Sequence, residues 1–248
     1  MTTTHVEDIP TITREQAPGF AATELRRMGE LLRSLDAEDW KAATDCTGWD
    51  VRALAGHVVG MTQTFTGFRQ LARDMRAGAK RAGARPMIDG LTELQVEHNA
   101  PRSTDELLRV FDDAAPRMVR FRSRRRALRR APLKQEMPDG SVEKWRMGYL
   151  LDKVLTRDTW MHRIDITRAT GRPMVLTADH DGRIVADAVA EWASRHGKPF
   201  TLVLGGPAGG SYARGEGGEH LELDAVEFCR ILSGRGTATG LLTQEVPF

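Results

Sequence analysis

The chain has 248 residues, of which 40% are hydrophobic and 28% are charged, a composition that excludes a disordered or fibrous protein and suits one large domain or two ordinary ones. No apolar run approaches the roughly 20 residues that span a bilayer, and no charged-then-apolar segment opens the chain, so we expect no membrane partner and predict a cytoplasmic protein. The two cysteines, Cys46 and Cys229, lie far apart, which argues against a disulfide framework.

The net charge of +2 is distributed unevenly along the chain. Residues 173–248 carry 6 Lys/Arg and 10 Asp/Glu, a net of −4, which leaves +6 for residues 1–172. Eight arginines fall within residues 117–130, and such a run attracts phosphates. Because the C-terminal part is acidic and few aromatic residues lie near the run, we favour a solvated helix end that leads into a linker. We therefore expect no nucleic-acid partner.

The N-terminal part begins with residues 1–12, which we expect to be frayed or extended, and continues with a first helix over residues 13–35. Thr47 or Asp50 can cap a second helix. From there apolar residues recur at alternating spacings of three and four as far as Met75. This pattern predicts one long helix of the kind found in helix bundles.

Two further helices are predicted before the chain changes character. The third covers residues 89–99, is interrupted at Pro101 and continues through residues 104–119. A loop over residues 132–140 then precedes a fourth helix, which starts near residues 141–145 and ends before Gly171. Four helices in this order favour a four-helix bundle.

The C-terminal part combines helix and strand signals. The predicted elements are a helix over residues 183–197, a strand over 199–206, a hairpin of short strands at 211–214 and 220–223, and a helix over 224–234. The predicted fold class is therefore α plus α+β. It comprises a four-helix bundle over residues 1–172 and a small α+β domain over residues 173–248.

The fourth helix carries the sharpest chemical signal of the sequence. Its inward stripe begins apolar, yet its middle holds two carboxylates and an imidazole, which are costly to bury without partners. Asp158 and His162 are four residues apart, so their side chains point the same way and could share one ion. An Asp–His pair at this spacing is also often an ordinary hydrogen bond, so a third ligand is required. The stripe consists of Leu151, Leu155, Asp158, His162, Asp165 and Ala169.

Three other side chains need weighing beside this pair. A lone histidine on an apolar face, such as His57 in the second helix, is more often a core residue than a ligand. Facing helices of a bundle, however, commonly build metal sites from inward-pointing groups. Asp165 is either an acceptor behind a ligand or the partner of Arg163 or Arg168. Cys46 suits a small buried hydrophobe better than a nucleophile or fourth ligand.

Three motifs resemble the mycothiol-dependent maleylpyruvate isomerase family, which belongs to the DinB-like metal-binding bundles. They are CTGWDVRALAGHV in the second helix, DTWMHRIDI in the fourth, and LDAVEFCRILSGR followed by GLLTQEVPF at the end. The resemblance covers nearly the whole chain. It implies a DinB-like bundle with a sterol-carrier-like C-terminal domain, and a divalent metal. Carried over by motif, the metal ligands are His57, Asp158 and His162, although the isomerase has Glu where this chain has Asp158.

The resemblance also implies a chemistry. Two imidazoles and one carboxylate with an open position suit Zn²⁺, which we favour over Ni²⁺, Fe²⁺ or Mn²⁺. The implied co-substrate is mycothiol, whose thiolate adds to an activated cis double bond of a small molecule before rotation and elimination. A thiol transferase would stop after the addition. The alternative function is a non-catalytic metal-binding bundle that senses or carries a small ligand. We expect a monomer or homodimer.

Overall fold

The computed structural model describes residues 2–124, 126–136 and 140–248, and it describes no side chains for residues 124–127. These residues form two compact units. One unit is Arg14–Arg172, and the other joins the residues up to Thr13 with Pro173–Phe248. In the described part of the chain, no helix is long and apolar enough to cross a membrane.

The predicted fold class is confirmed, since the larger unit is mostly helical and the smaller one holds a small sheet with helices. The helices are α1 (Ala17–Ser34), α2 (Val51–Thr64), α3 (Phe68–Ala82), α4 (Met87–Asn99), α5 (Thr104–Arg124), α6 (Arg126–Arg130), α7 (Met147–Tyr149), α8 (Leu155–Thr170), α9 (Arg183–His196) and α10 (Ala225–Leu232). The strands are β1 (Thr3–His5), β2 (Pro132–Glu136), β3 (Val142–Arg146), β4 (Phe200–Gly205), β5 (Gly210–Arg214) and β6 (Glu219–Asp224).

The larger unit is a four-helix bundle of α1, α2, α5 and α8. Helices α1 and α2 each contact both α5 and α8. Apolar side chains from all four helices meet in one core, in which Met28, Leu54, Leu107 and Leu151 are fully buried. This core fixes the relative positions of α2 and α8, the two helices that carry the predicted metal ligands.

The predicted long second helix is wrong, because it breaks into α2 and α3. Phe65 ends α2, and Gly67 precedes α3 with an extended backbone. The hydroxyl groups of Thr64 and Thr66 donate to the carbonyls of Gly60 and Gln63, which offers the backbone local partners at the break. Apolar residues keep their helical spacing across this break, so periodicity alone does not reveal it.

The sequence predicts α4 as the first half of the third bundle helix, and this prediction is wrong. Helix α4 packs against α2 and α3 instead, and α5 alone provides the third bundle helix. The approach to α2 is close, since a Cβ atom on Gly60 would lie 2.5 Å from the Cβ of Gln95. One turn away, Asn99 Nδ2 donates to the Gly56 carbonyl at 2.8 Å. Helix α4 therefore holds α2 at the turn that carries His57.

The predicted loop over residues 132–140 is largely wrong. Strands β2 and β3 form an antiparallel hairpin there, and residues 137–139 lie outside the described part of the chain. The fourth helix begins only after β3, with α7 and a π-helical turn at Leu150–Val154 before α8. This late start follows from the strand pairing, which keeps residues 142–146 extended.

The arginine-rich run is not the fully solvated helix end that the sequence predicts. Arg122 is buried and donates to the carbonyl of Leu151 and the hydroxyl of Thr156. Burial lowers the pKa of Arg122 to about 9. Arg129 pairs with Asp152. Among the arginines of this run whose side chains the structure describes, Arg122 and Arg129 therefore serve the internal packing of α5, α6 and the turn before α8. Arg125 lies outside the described residues, and the side chains of Arg124 and Arg126 are not described.

The smaller unit contains a four-stranded sheet in the order β1–β5–β4–β6. Residues 3–5, which the sequence predicts to be frayed or extended, form the extended strand β1, which pairs parallel with β5. They belong to the compact unit of residues 173–248 rather than to the bundle unit, where the predicted domain boundary placed them. The predicted hairpin is wrong, because β5 and β6 lie on opposite sides of β4. The buried rings of Trp192, Phe200 and Phe228 join α9, β4 and α10, and the centroids of Phe200 and Phe228 lie 4.7 and 5.4 Å from that of Trp192.

Candidate metal centre

Helix α8 is buried on almost every side, which makes its polar residues informative. From Leu155 to Thr167 every residue is buried except Asp158, which is half-buried. The imidazole of His162 lies one turn after Asp158, with Nε2 3.4 Å from Asp158 Oδ1. Such groups require partners when they leave water.

His57 approaches this pair from α2. Its side chain is 6% exposed, and its ring lies edge-on to that of His162, with the centroids 5.1 Å apart. The nearest donor atoms of His57, Asp158 and His162 all lie within 4.8 Å of one another. The structure thus brings together the three residues that the family resemblance implies as ligands, from two helices about 100 residues apart in the chain.

Asp165 lies behind His162 and is fully buried. Its Oδ2 atom lies 3.0 Å from His162 Nδ1, so the ring presents an N–H to the carboxylate and leaves Nε2 facing Asp158. Of the two roles that the sequence left open for Asp165, this geometry favours the acceptor behind a ligand. Arg163 and Arg168 contact other carboxylates, those of Glu24 and Asp45.

The charge state of His162 follows from these neighbours. Burial opposes the charged imidazolium, but the charge of Asp158 and hydrogen bonds to Asp158 and Asp165 outweigh it. The pKa of His162 therefore lies well above its ordinary value. The pocket is thus electrostatically arranged to favour positive charge between two carboxylates.

The loop before α2 contacts the candidate centre through Trp49 and Cys46. The indole of Trp49 is tilted against the His57 ring, with centroids 5.2 Å apart. The Cys46 thiol lies 3.4 Å from Asp165 Oδ2 and donates to it. Sequence reasoning did not find this contact, because Cys46 was assigned to apolar packing. Its position three residues before Trp49, in a motif already tied to the site, is the signal that points to it.

A known protein family matches most of the unit that contains this centre. The family model described as the mycothiol maleylpyruvate isomerase N-terminal domain matches residues 21–167. The chain belongs to this family. The matched range contains every residue of the candidate centre, from Cys46 to Asp165. Comparison with the curated proteins found no match.

Solved structures agree with the fold of the mycothiol maleylpyruvate isomerase family. A crystal structure of the mycothiol-dependent maleylpyruvate isomerase matches with a TM-score of 0.57 and 19% identity, covering 100% of this chain and 98% of the other. A histidine-to-alanine mutant of that isomerase matches with the same TM-score, 18% identity and the same coverage. At these identities the likeness concerns the fold.

Proposed function

We propose that the chain is a metal- and thiol-dependent enzyme of the maleylpyruvate isomerase family. The single observation that carries this proposal is the convergence of His57, Asp158 and His162 within 4.8 Å. Three donors from two rigid helices define a small, fixed site for a cation, with His57 and His162 buried and Asp158 more open.

The residues fit a divalent cation by their chemistry. In protein metal sites, a ligating histidine commonly donates its other N–H to a carboxylate, as His162 does to Asp165. Two imidazoles and one carboxylate leave coordination positions free, as in catalytic zinc sites. We therefore favour Zn²⁺ and retain Ni²⁺, Fe²⁺ and Mn²⁺ as alternatives.

Each side chain has a distinct task in this proposal. A bound divalent cation would favour the thiolate form of a thiol co-substrate at neutral pH. Asp165 holds the His162 ring in one orientation. Trp49 covers one face of His57 and limits water there. The Asp158 side chain is 21% exposed against 7% for His162, so co-substrate and substrate approach past Asp158.

We propose mycothiol as the thiol and a small electrophile with an activated cis double bond as the substrate. Addition of the thiol forms one C–S bond and allows rotation about the former double bond. Elimination breaks the same C–S bond, returns the thiol and leaves the trans product. A thiol S-transferase that keeps the adduct is the second candidate. A thiol must stay reduced, so we place the protein in the cytoplasm, as a monomer or homodimer.

Activity of the metal-loaded protein with maleylpyruvate tests this function. We expect isomerisation that requires both mycothiol and the cation, and that is lost in His57→Ala. Turnover that is unchanged in metal-stripped protein or without thiol would contradict the proposal. Stoichiometric cation binding without turnover of any cis electrophile would favour the alternative, a non-catalytic bundle that senses or carries a ligand.

The carboxylate ligand gives a separate prediction. Asp158→Asn keeps the shape of the side chain but removes its charge, so we expect it to lose the cation. Asp158→Glu restores the residue type of the isomerase and is expected to keep the cation, although an added methylene typically costs about 1–3 kcal/mol in a packed site. Metal analysis and the melting temperature of both variants provide the measurement. Full metal occupancy in Asp158→Asn would remove Asp158 from the ligand set.

A further inference from the structure

We propose that Cys46 is a positioning residue of the candidate metal centre. Its thiol holds the carboxylate of Asp165, and this carboxylate holds His162 with Nε2 directed toward Asp158. The inference rests on the proposed cation site, and it gives this cysteine a role in tuning that site.

The contacts form a short chain of hydrogen bonds. Asp165 Oδ2 lies 3.4 Å from Cys46 Sγ and 3.0 Å from His162 Nδ1, so one oxygen atom accepts from both groups. The carboxylate of Asp165 is fully buried. Each donor to a buried carboxylate stabilises its charge and restricts its rotation. The donor atoms of Cys46, His162 and Asp165 all lie within 4.8 Å of one another. Removing the thiol therefore loosens both Asp165 and the His162 ring.

The backbone fixes the position of the thiol. The amide of Cys46 donates to Thr44 Oγ1 at 3.2 Å, and the carbonyl of Cys46 accepts from the Trp49 amide at 3.0 Å. Thr44 Oγ1 also donates to the Trp49 carbonyl at 2.8 Å. This turn places the sulfur atom beside Asp165 and the indole against His57. Cys46 is thus anchored independently of the bond that it makes to Asp165.

The competing role is apolar filling, and it makes different predictions. A filler can be replaced by alanine with a change in stability alone. A donor to Asp165 must be replaced by another donor. Serine supplies an O–H in place of the S–H, and alanine supplies none. Cys229 is a matched control, because it is a fully buried cysteine in the other unit.

The test compares Cys46→Ala, Cys46→Ser and Cys229→Ala by cation affinity in competition with a chelator. Loss of a partner behind a ligand typically costs 10–100-fold in metal affinity, and for this more distant group we expect about tenfold in Cys46→Ala. Cys46→Ser and Cys229→Ala should stay within about threefold of the wild type. The visible spectrum of the Co²⁺-substituted protein should shift in Cys46→Ala alone, because it reports the ligand geometry.

Wild-type affinity and an unchanged Co²⁺ spectrum in Cys46→Ala would overturn the inference. An equal loss in the alanine and serine variants would overturn it as well, since serine keeps the donor. Circular dichroism melting of each variant separates a change in folding from a change in the centre. A wild-type protein that binds no cation would refute the proposed function itself, whereas cation binding that ignores Cys46 refutes only the role of this residue.

Discussion

Replacing His57 with alanine is expected to abolish stoichiometric cation binding. Asp158 and His162 would remain, but both lie on α8, four residues apart, and cannot enclose an ion without the donor from α2. A site with two protein ligands is incomplete for a catalytic zinc centre, which takes three. His162→Ala should have the same effect, because it removes the central donor. Metal analysis after dialysis against trace-metal-free buffer measures the outcome.

His98→Ala is the matched control for this experiment. His98 is exposed on α4, where its ring lies near Arg102, outside the candidate centre. The His98→Ala variant should bind as much cation as the wild type, which would exclude a general effect of losing one histidine. Near-stoichiometric cation in His57→Ala would show that His57 is not a ligand, and the ligand set would fail at that residue.

The candidate centre is accessible from the sequence because helical spacing encodes direction. His162 follows Asp158 by four residues, so both must share a face of α8. His57 lies in a run of apolar residues that must face the core. Two inward faces of one bundle meet by construction, and the structure confirms that these residues converge. Helical spacing therefore predicts that each side chain points inward, whereas the choice of His57, Asp158 and His162 as one ligand set comes from the resemblance of their motifs to the family.

The break between α2 and α3 is harder to predict from the sequence. Phe65 and Phe68 keep the apolar spacing of α2, yet α2 ends at Thr64 and α3 begins only at Phe68. At the break, the hydroxyl groups of Thr64 and Thr66 donate to the local carbonyls of Gly60 and Gln63. The free energies of such local hydrogen bonds are small compared with that of burying an apolar helix face. The spacing of apolar residues therefore does not reveal the break.

Contacts that depend on strand pairing or on the closure of a loop cannot be predicted from these local patterns. Strand β1 pairs with β5 across about 200 residues, and Cys46 meets Asp165 across 119. Alternation of side chains identifies a strand but not its partner, which is why the predicted pairing of β5 with β6 is wrong. The hydrogen bond from Cys46 likewise depends on how a loop closes over the end of a bundle, which no local pattern specifies.

We expect the second large effect on the free energy of unfolding, when the ion pair between Glu24 of α1 and Arg163 of α8 is broken. Arg163 Nε and Nη2 donate to the two carboxylate oxygens at 3.0 and 3.1 Å. The side chain of Glu24 is 0% exposed and that of Arg163 is 3% exposed. Removing one partner from a buried pair leaves a charge that is poorly compensated, at a typical cost of about 3–5 kcal/mol. We therefore expect Glu24→Ala to lower the free energy of unfolding by this amount.

An exposed pair on the same helix provides the control. Arg26 and Glu30 are 58% and 57% exposed and lie 2.7 Å apart, so Glu30→Ala should cost at most about 0.5 kcal/mol. Urea unfolding of both variants gives the comparison. The double variant Glu24→Leu with Arg163→Leu should recover much of the loss, because two apolar side chains need no charge compensation. A loss in Glu24→Ala no larger than that in Glu30→Ala would mean that water or neighbouring groups compensate Arg163. The pair would then contribute little to holding α8, and with it His162, against α1.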